Sequence, residues 1–161
     1  MNKEANCEKP PAPVLVLGVG NILMGDEGIG VRVIESLKDC QLPEGVELFD
    51  GGTASLELLS IFSDRKKLVI IDAIRGGQEA GAVYRFNFED LTYRKDFATS
   101  LHQIGITDTL NQAKILGCLP EEVVLIGIEP ATIKPGLELS PEIAAVIPRV
   151  KEVILKELAN K

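Results

Sequence analysis

A single histidine, His102, stands in the 161-residue chain, and that scarcity sets the limits of its chemistry. A self-contained zinc peptidase with two or three imidazole ligands is excluded, and the HExxH signature is absent. No GxSxG elbow presents a serine nucleophile, and Ser55 and Ser100 lack a strained strand-to-helix setting. Cys7, Cys40 and Cys118 form no CxxC pair, and none sits at a strand exit or in a glycine-rich loop. What remains is an oxygen and nitrogen set, Glu27, Asp50 and His102, each placed by the pattern in a loop. Two carboxylates and one imidazole can hold a divalent first-row metal with coordination positions left open. They can equally serve as general acid and base. Asp50 also reads as a plain turn residue before Gly51-Gly52, and His102 as a loop or helix-capping histidine. Asp72 and Glu129, two further acids at strand exits, read either as groups supporting those ligands or as turn acids, and the structural reading is preferred for both.

These residues are positioned by strands and helices that the apolar pattern marks out. Val14 to Val19 is a buried strand, followed by a turn bearing Gly18, Gly20, Asn21 and Gly25. A helix follows, with Ile29, Val33, Ile34 and Leu37 on one face. Asp26 is expected to cap that helix, which leaves Glu27 in its first turn. The turn has GxG, but the third glycine of a dinucleotide fingerprint would fall at Leu23, and two acids already occupy the helix start, so nucleotide binding is disfavoured. Val46 to Phe49 is a short strand ending at Asp50. Thr53 or Ser55 caps a helix carrying Leu56, Leu59 and Phe62. Leu68 to Ile71 is a central parallel strand ending at Asp72. Ala82 to Phe88 alternates in polarity, as an antiparallel edge strand does. Glu89 to Ser100 reads as a loop with at most a short helical turn. Ile106, Leu110, Ala113 and Leu116 outline a helix stopped by Gly117. Val123 to Ile128 is a last buried strand, and Ser140-Pro141-Glu142 opens a final helix with Ile143, Ile147, Val150, Ile154 and Leu158 on its apolar stripe. Pro148 should kink it.

The expected architecture is a three-layer α/β sandwich. Its five-stranded twisted sheet is mostly parallel, has one antiparallel edge strand, and carries helices on both faces. Glu27, Asp50 and Asp72 then lie at the C-terminal sheet edge, where open α/β folds bind ligands. The composition, 45% hydrophobic and 25% charged, fits one globular domain over residues 14–161, preceded by a flexible lead-in over residues 1–13. A net charge of -7 disfavours nucleic acid and anionic membranes as partners. No apolar run spans a bilayer, no signal-peptide core opens the chain, and the unpaired cysteines suit a reducing cytoplasm. A monomer is the default expectation.

Three stretches, GVGNILMGDEGIGVRVIESL, LFDGGTASLELL and SLHQIGITDTL, together resemble the signature segments of the nickel–iron hydrogenase maturation endopeptidases. GIEPATIKPGLELSPEI is similar to that family's C-terminal segment, and the similarity runs from Val14 to Leu158 in matching order. The resemblance implies an endopeptidase that removes the C-terminal extension of a hydrogenase large-subunit precursor after nickel insertion. It implies that Glu27, Asp50 and His102 are both the metal ligands and the catalytic groups. The nickel would arrive with the substrate, with another divalent metal able to take its place in a crystal. The same residues could also serve a non-catalytic, metal-dependent binding module or chaperone for that subunit.

Overall fold

The computed structural model describes residues 10–93 and 105–160. Five strands, β1 (Val14–Val19), β2 (Val46–Gly52), β3 (Lys67–Ala73), β4 (Val83–Asn87) and β5 (Glu122–Ile128), form one sheet in the order β2-β1-β3-β5-β4. All neighbours are parallel except β4, which pairs antiparallel with β5 at the edge. The helices are α1 (Ile29–Leu37), α2 (Leu59–Phe62), α3 (Ile106–Leu116) and α4 (Pro141–Ala159). Short 3-10 turns lead into α1 and α2, and a third follows β4 over Phe88–Tyr93. The expected sandwich is therefore present.

Strand periodicity divides the interior into two cores. Leu15, Leu17, Leu68, Ile70 and Leu125 face Leu58, Phe62, Ile106, Leu110 and Ala113, which places α2 and α3 on one side. Val16, Val69, Ile71, Val124 and Ile126 face Ile29, Val33, Ile34, Ile143, Val150 and Ile154, which places α1 and α4 on the other. Two helix stripes differ from the sequence pattern. In the second helical segment Leu58 is buried and Leu56 exposed, because the 3-10 entry rotates the face relative to an α-helical count. Leu116 is exposed at the last turn of α3, where Gly117 at φ 71° ends the helix. Helix α4 runs unbroken through Pro148, which lacks the N–H that would reach back to Ala144.

The chain enters this fold before β1. Ala12, in the expected lead-in, accepts a hydrogen bond from Arg65 at 2.7 Å, and the Pro13 carbonyl accepts from the Lys66 and Lys67 amides. Cys40 and Cys118 are half-buried just beyond α1 and α3, as packing residues would be, and Cys7 lies outside the described residues. Among the described residues, no helix is long and apolar enough to cross a membrane.

Sheet and α4 are tied by an ionic cluster. Lys67 at the start of β3 donates to the Glu157 carboxylate at 2.8 Å, and Arg85 on β4 donates to its other oxygen at 2.7 Å. Both Lys67 and Glu157 are buried. The Arg85 hydrogen bond, with Lys67 in support and against the cost of burial, holds the Glu157 carboxyl down at about 2. A lowered folded-state value gives stability that is complete above the ordinary glutamate range and is lost as pH falls toward that value. Glu157→Gln is expected to cost about 1 to 3 kcal/mol at neutral pH, because it leaves Lys67 buried with only the half-exposed Glu122, at 3.1 Å, as counter-charge. Thermal melts should show the gap between variant and wild type closing below the ordinary value of 4.5.

Candidate active site

The strand order creates the site. From β1 the chain turns through α1 to β2 on one side, whereas β3 pairs on the other side of β1 and leads toward β5. The C-terminal ends of β1 and β3 thus flank the crevice at which strand order reverses, the place where ligands bind in such sheets. The turn after β1 is drawn in tightly over this crevice. Gly30 at the start of α1 packs so closely that a Cβ there would lie 2.2 Å from the Ile71 carbonyl oxygen and 2.3 Å from that of Val19. Gly20, at φ +133°, leaves space that the Glu27 carbonyl oxygen fills, 2.0 Å from where a Cβ would stand. Two glycines therefore let the backbone carrying Glu27 lie directly on the sheet edge.

Glu27 sits in the 3-10 turn Asp26–Gly28 that precedes α1 and is half-buried. Its carboxylate makes no hydrogen bond or ion pair among the described residues. Asp72 is the next-to-last residue of β3 and is 1% exposed. Neither of its carboxyl oxygens has a hydrogen-bond partner among the described residues. Burial drives the Asp72 carboxyl well above the ordinary aspartate range, the Ala73 amide offsets this in part, and the negative charge of Glu27 pushes it further up. A structural acid is held by donors, as Glu129 is: its Oε2 accepts from the Gly76 amide at 2.7 Å and from the Tyr84 hydroxyl. Burial and that contact raise the Tyr84 hydroxyl to about 12. Glu129 is thus the structural group the sequence suggested. Asp72 has no such donors among the described residues, and an orphaned buried carboxyl lowers stability unless a ligand completes it.

Asp50 is placed differently. It pairs in register with Gly18 of β1, which in turn pairs with Ile71 of β3, so it stands two strands from Asp72, about 10 Å across the sheet. It also follows the parity of Val46 and Leu48, on the α1 face, whereas Asp72 follows Leu68 and Ile70 on the α2–α3 face. The Asp50 carboxylate is exposed and accepts the Gly52 amide at 2.9 Å. It borders an open groove of about 280 Å³ with Asn21, Ile22, Leu23, Val31 and Thr53. His102 lies outside the described residues. Among the described residues, no three histidine, cysteine, aspartate or glutamate side chains converge as a metal-binding group.

A family model described as hydrogenase maturation protease matches residues 31–157. The chain belongs to the hydrogenase maturation protease family. It is 39% identical over 147 residues to the hydrogenase 2 maturation protease of Escherichia coli K12, covering 90% of each chain. Its fold superposes on the hydrogenase maturating endopeptidase HybD of E. coli with a TM-score of 0.81 and 38% identity, over 91% of each chain. The nickel–iron hydrogenase maturation protease HybD of Thermococcus kodakarensis gives 0.74 at 31% identity, over 90% of this chain and 98% of that one. A maturation protease is a hydrolase of peptide bonds, so the carboxylates at this sheet edge belong to an enzyme.

The sequence reading misplaced Asp26. It is fully buried and makes no cap hydrogen bond to α1; its carboxylate instead accepts from the Ala131, Thr132 and Ser140 amides and the Ser140 hydroxyl. Asp72, for which the pattern favours a structural reading, closes the apolar run Leu68–Ile71 with neither oxygen partnered among the described residues. Its orphaned state leads to a measurable consequence. Because its folded-state value is raised, wild-type stability falls as pH climbs from the ordinary aspartate range toward that value. Asp72→Asn should remove this loss, giving an equal or higher melting temperature at neutral pH and a flatter pH profile by calorimetry.

Proposed function

We propose that this maturation protease removes the C-terminal extension of a nickel–iron hydrogenase large-subunit precursor, and that it acts on the precursor after nickel insertion by engaging the substrate's own nickel. The observation that carries this reading is the juxtaposition of Glu27 and Asp72. One is a half-buried carboxylate and the other a buried carboxyl with no partner among the described residues, at the switch point of the sheet. Like charges so placed repel, and a divalent cation relieves both the repulsion and the unsatisfied oxygens. Oxygen donors with one imidazole suit a borderline cation such as nickel, and leave positions for ligands that the precursor already supplies. Such an ion would polarise the scissile carbonyl or a water beside it.

In this reading Glu27 and Asp72 contribute the oxygen donors, and His102 the nitrogen donor that the family resemblance implies. Asp50, which the sequence reading placed with Glu27 and His102 as ligand and catalytic group, is set in the adjoining groove with a solvent-facing carboxylate. It is positioned for proton transfer or for holding the substrate chain, rather than for sharing an ion with Asp72 across β1. Exposed Ile22 and Leu23 give that groove an apolar wall suited to a polypeptide. The substrate's metal then acts as the test of maturity: a precursor without nickel leaves the Glu27 charge acting on an unpartnered Asp72. The enzyme is taken to work as a cytoplasmic monomer on this protein partner.

Intact-mass measurement of nickel-loaded and nickel-free precursor, before and after incubation with the enzyme, tests the reading. Loss of a C-terminal peptide from the loaded form alone is expected. Glu27→Gln, Asp72→Asn and His102→Ala should each cut the rate at least about 100-fold while leaving the fold intact, the scale for removing a group that acts on the transition state. Asp50→Asn should lower turnover without weakening metal-dependent association. Equal trimming of the nickel-free precursor would refute the recognition step.

A further inference from the structure

Asp26 is a buried carboxylate that the chemistry above does not use. It is 0% exposed, yet no cation pairs with it among the described residues. Its Oδ2 accepts the Ala131 amide at 3.0 Å, the Thr132 amide at 2.9 Å and the Ser140 hydroxyl at 2.9 Å, and its Oδ1 accepts the Ser140 amide at 2.7 Å. All these donors belong to the irregular segment 131–140 between β5 and α4, more than a hundred residues away along the chain. Both ends of that segment are thus gathered on one side chain. Its middle is held as well: the Gly25 amide donates to Gly136 and the Gly136 amide donates to Leu23, each at 2.9 Å. The segment lies as a strap along residues 23–25, and the residue that fastens it is the immediate neighbour of Glu27.

We propose that Asp26 is a positioning residue, latching the 131–140 strap onto the turn that carries Glu27 and so fixing where the Glu27 carboxylate points. The 3-10 turn Asp26–Gly28 is only one turn long, closed by the Gly28 amide on Gly25 at 3.0 Å, and Gly25 precedes it at φ 60°, so these local bonds set its shape but do not tie it to the 131–140 segment. Four hydrogen bonds to a charged acceptor, out of water, supply that tie from outside. A carboxylate is required because every group around it is a donor; an amide would turn its own N–H bonds toward at least one of them. The inference rests on the proposed role of Glu27, but the fastening can be measured without it.

The test uses Asp26→Asn and Ser140→Ala in the full chain. Ser140→Ala removes one hydroxyl donor and leaves the charge of Asp26 in place, so it separates position from electrostatics and folds even if the first variant does not. Amide hydrogen exchange should accelerate in 131–140 in both variants while the strands β1 and β3 stay protected. Turnover of a nickel-loaded precursor well below the melting temperature should fall about 10- to 100-fold in kcat for Asp26→Asn and about threefold or more for Ser140→Ala, with KM changed less, as expected when a reacting group is misaimed. Faster strap exchange with kcat unchanged in either variant overturns the positioning role, and unchanged strap exchange in Ser140→Ala overturns the latch. A wild-type enzyme that leaves the precursor intact would instead count against the proposed function, a separate result.

Discussion

Two acidic groups brought to one sheet edge, the buried Asp72 within electrostatic reach of Glu27 and with no partner beyond the adjacent Ala73 amide among the described residues, form the constraint around which this molecule is arranged. Asp72 is carried there by β3, a strand buried along its whole length, and cannot retreat to solvent. Glu27 is carried there by a turn that two glycines press onto the ends of β1 and β3. The arrangement works against stability in the free protein, since burial and the neighbouring charge both oppose ionisation of Asp72. Such opposition marks a candidate functional group, and in the proposed function its partner arrives with the substrate.

The remainder of the fold supplies the rigidity that keeps the pair in place. The two apolar cores clamp the sheet from both faces, so β1 and β3 cannot shift relative to each other without disturbing both. The Lys67–Glu157–Arg85 cluster anchors α4 to the opposite end of the sheet, and α4 follows directly on the strap that Asp26 fastens. Stability is thus concentrated away from the crevice, and the unsatisfied group is left within it. This division allows a protease to carry an incomplete site without losing its shape.

Much of this was legible in the sequence because burial writes itself into strands and amphipathic helices. The five strands, the antiparallel edge at Val83–Asn87 and the αL stop at Gly117 follow from local pattern. The placement of Glu27 was legible too, since it follows a strand and a glycine turn. Asp72 and Asp26 were not. An acid at the end of an apolar run looks the same whether its oxygens are satisfied or orphaned, and only the third dimension distinguishes Asp72 from Glu129. Asp26 carries the local signature of a helix cap, but its partners at 131–140 come from across the fold. The face that Asp50 occupies depends on its register with Gly18 and Ile71, which spacing along one strand does not encode.

The central claim, that Glu27 and Asp72 form one unrelieved pair awaiting a cation, is tested most directly by following the Asp72 side-chain carboxyl in a carbon-detected NMR pH titration, with and without added nickel. The account predicts that Asp72 titrates well above the ordinary aspartate range in the free protein, that Glu27→Gln lowers its midpoint, and that nickel drives it to the ionised form with release of a proton. An Asp72 that titrates in the ordinary range and ignores both Glu27→Gln and nickel would contradict it.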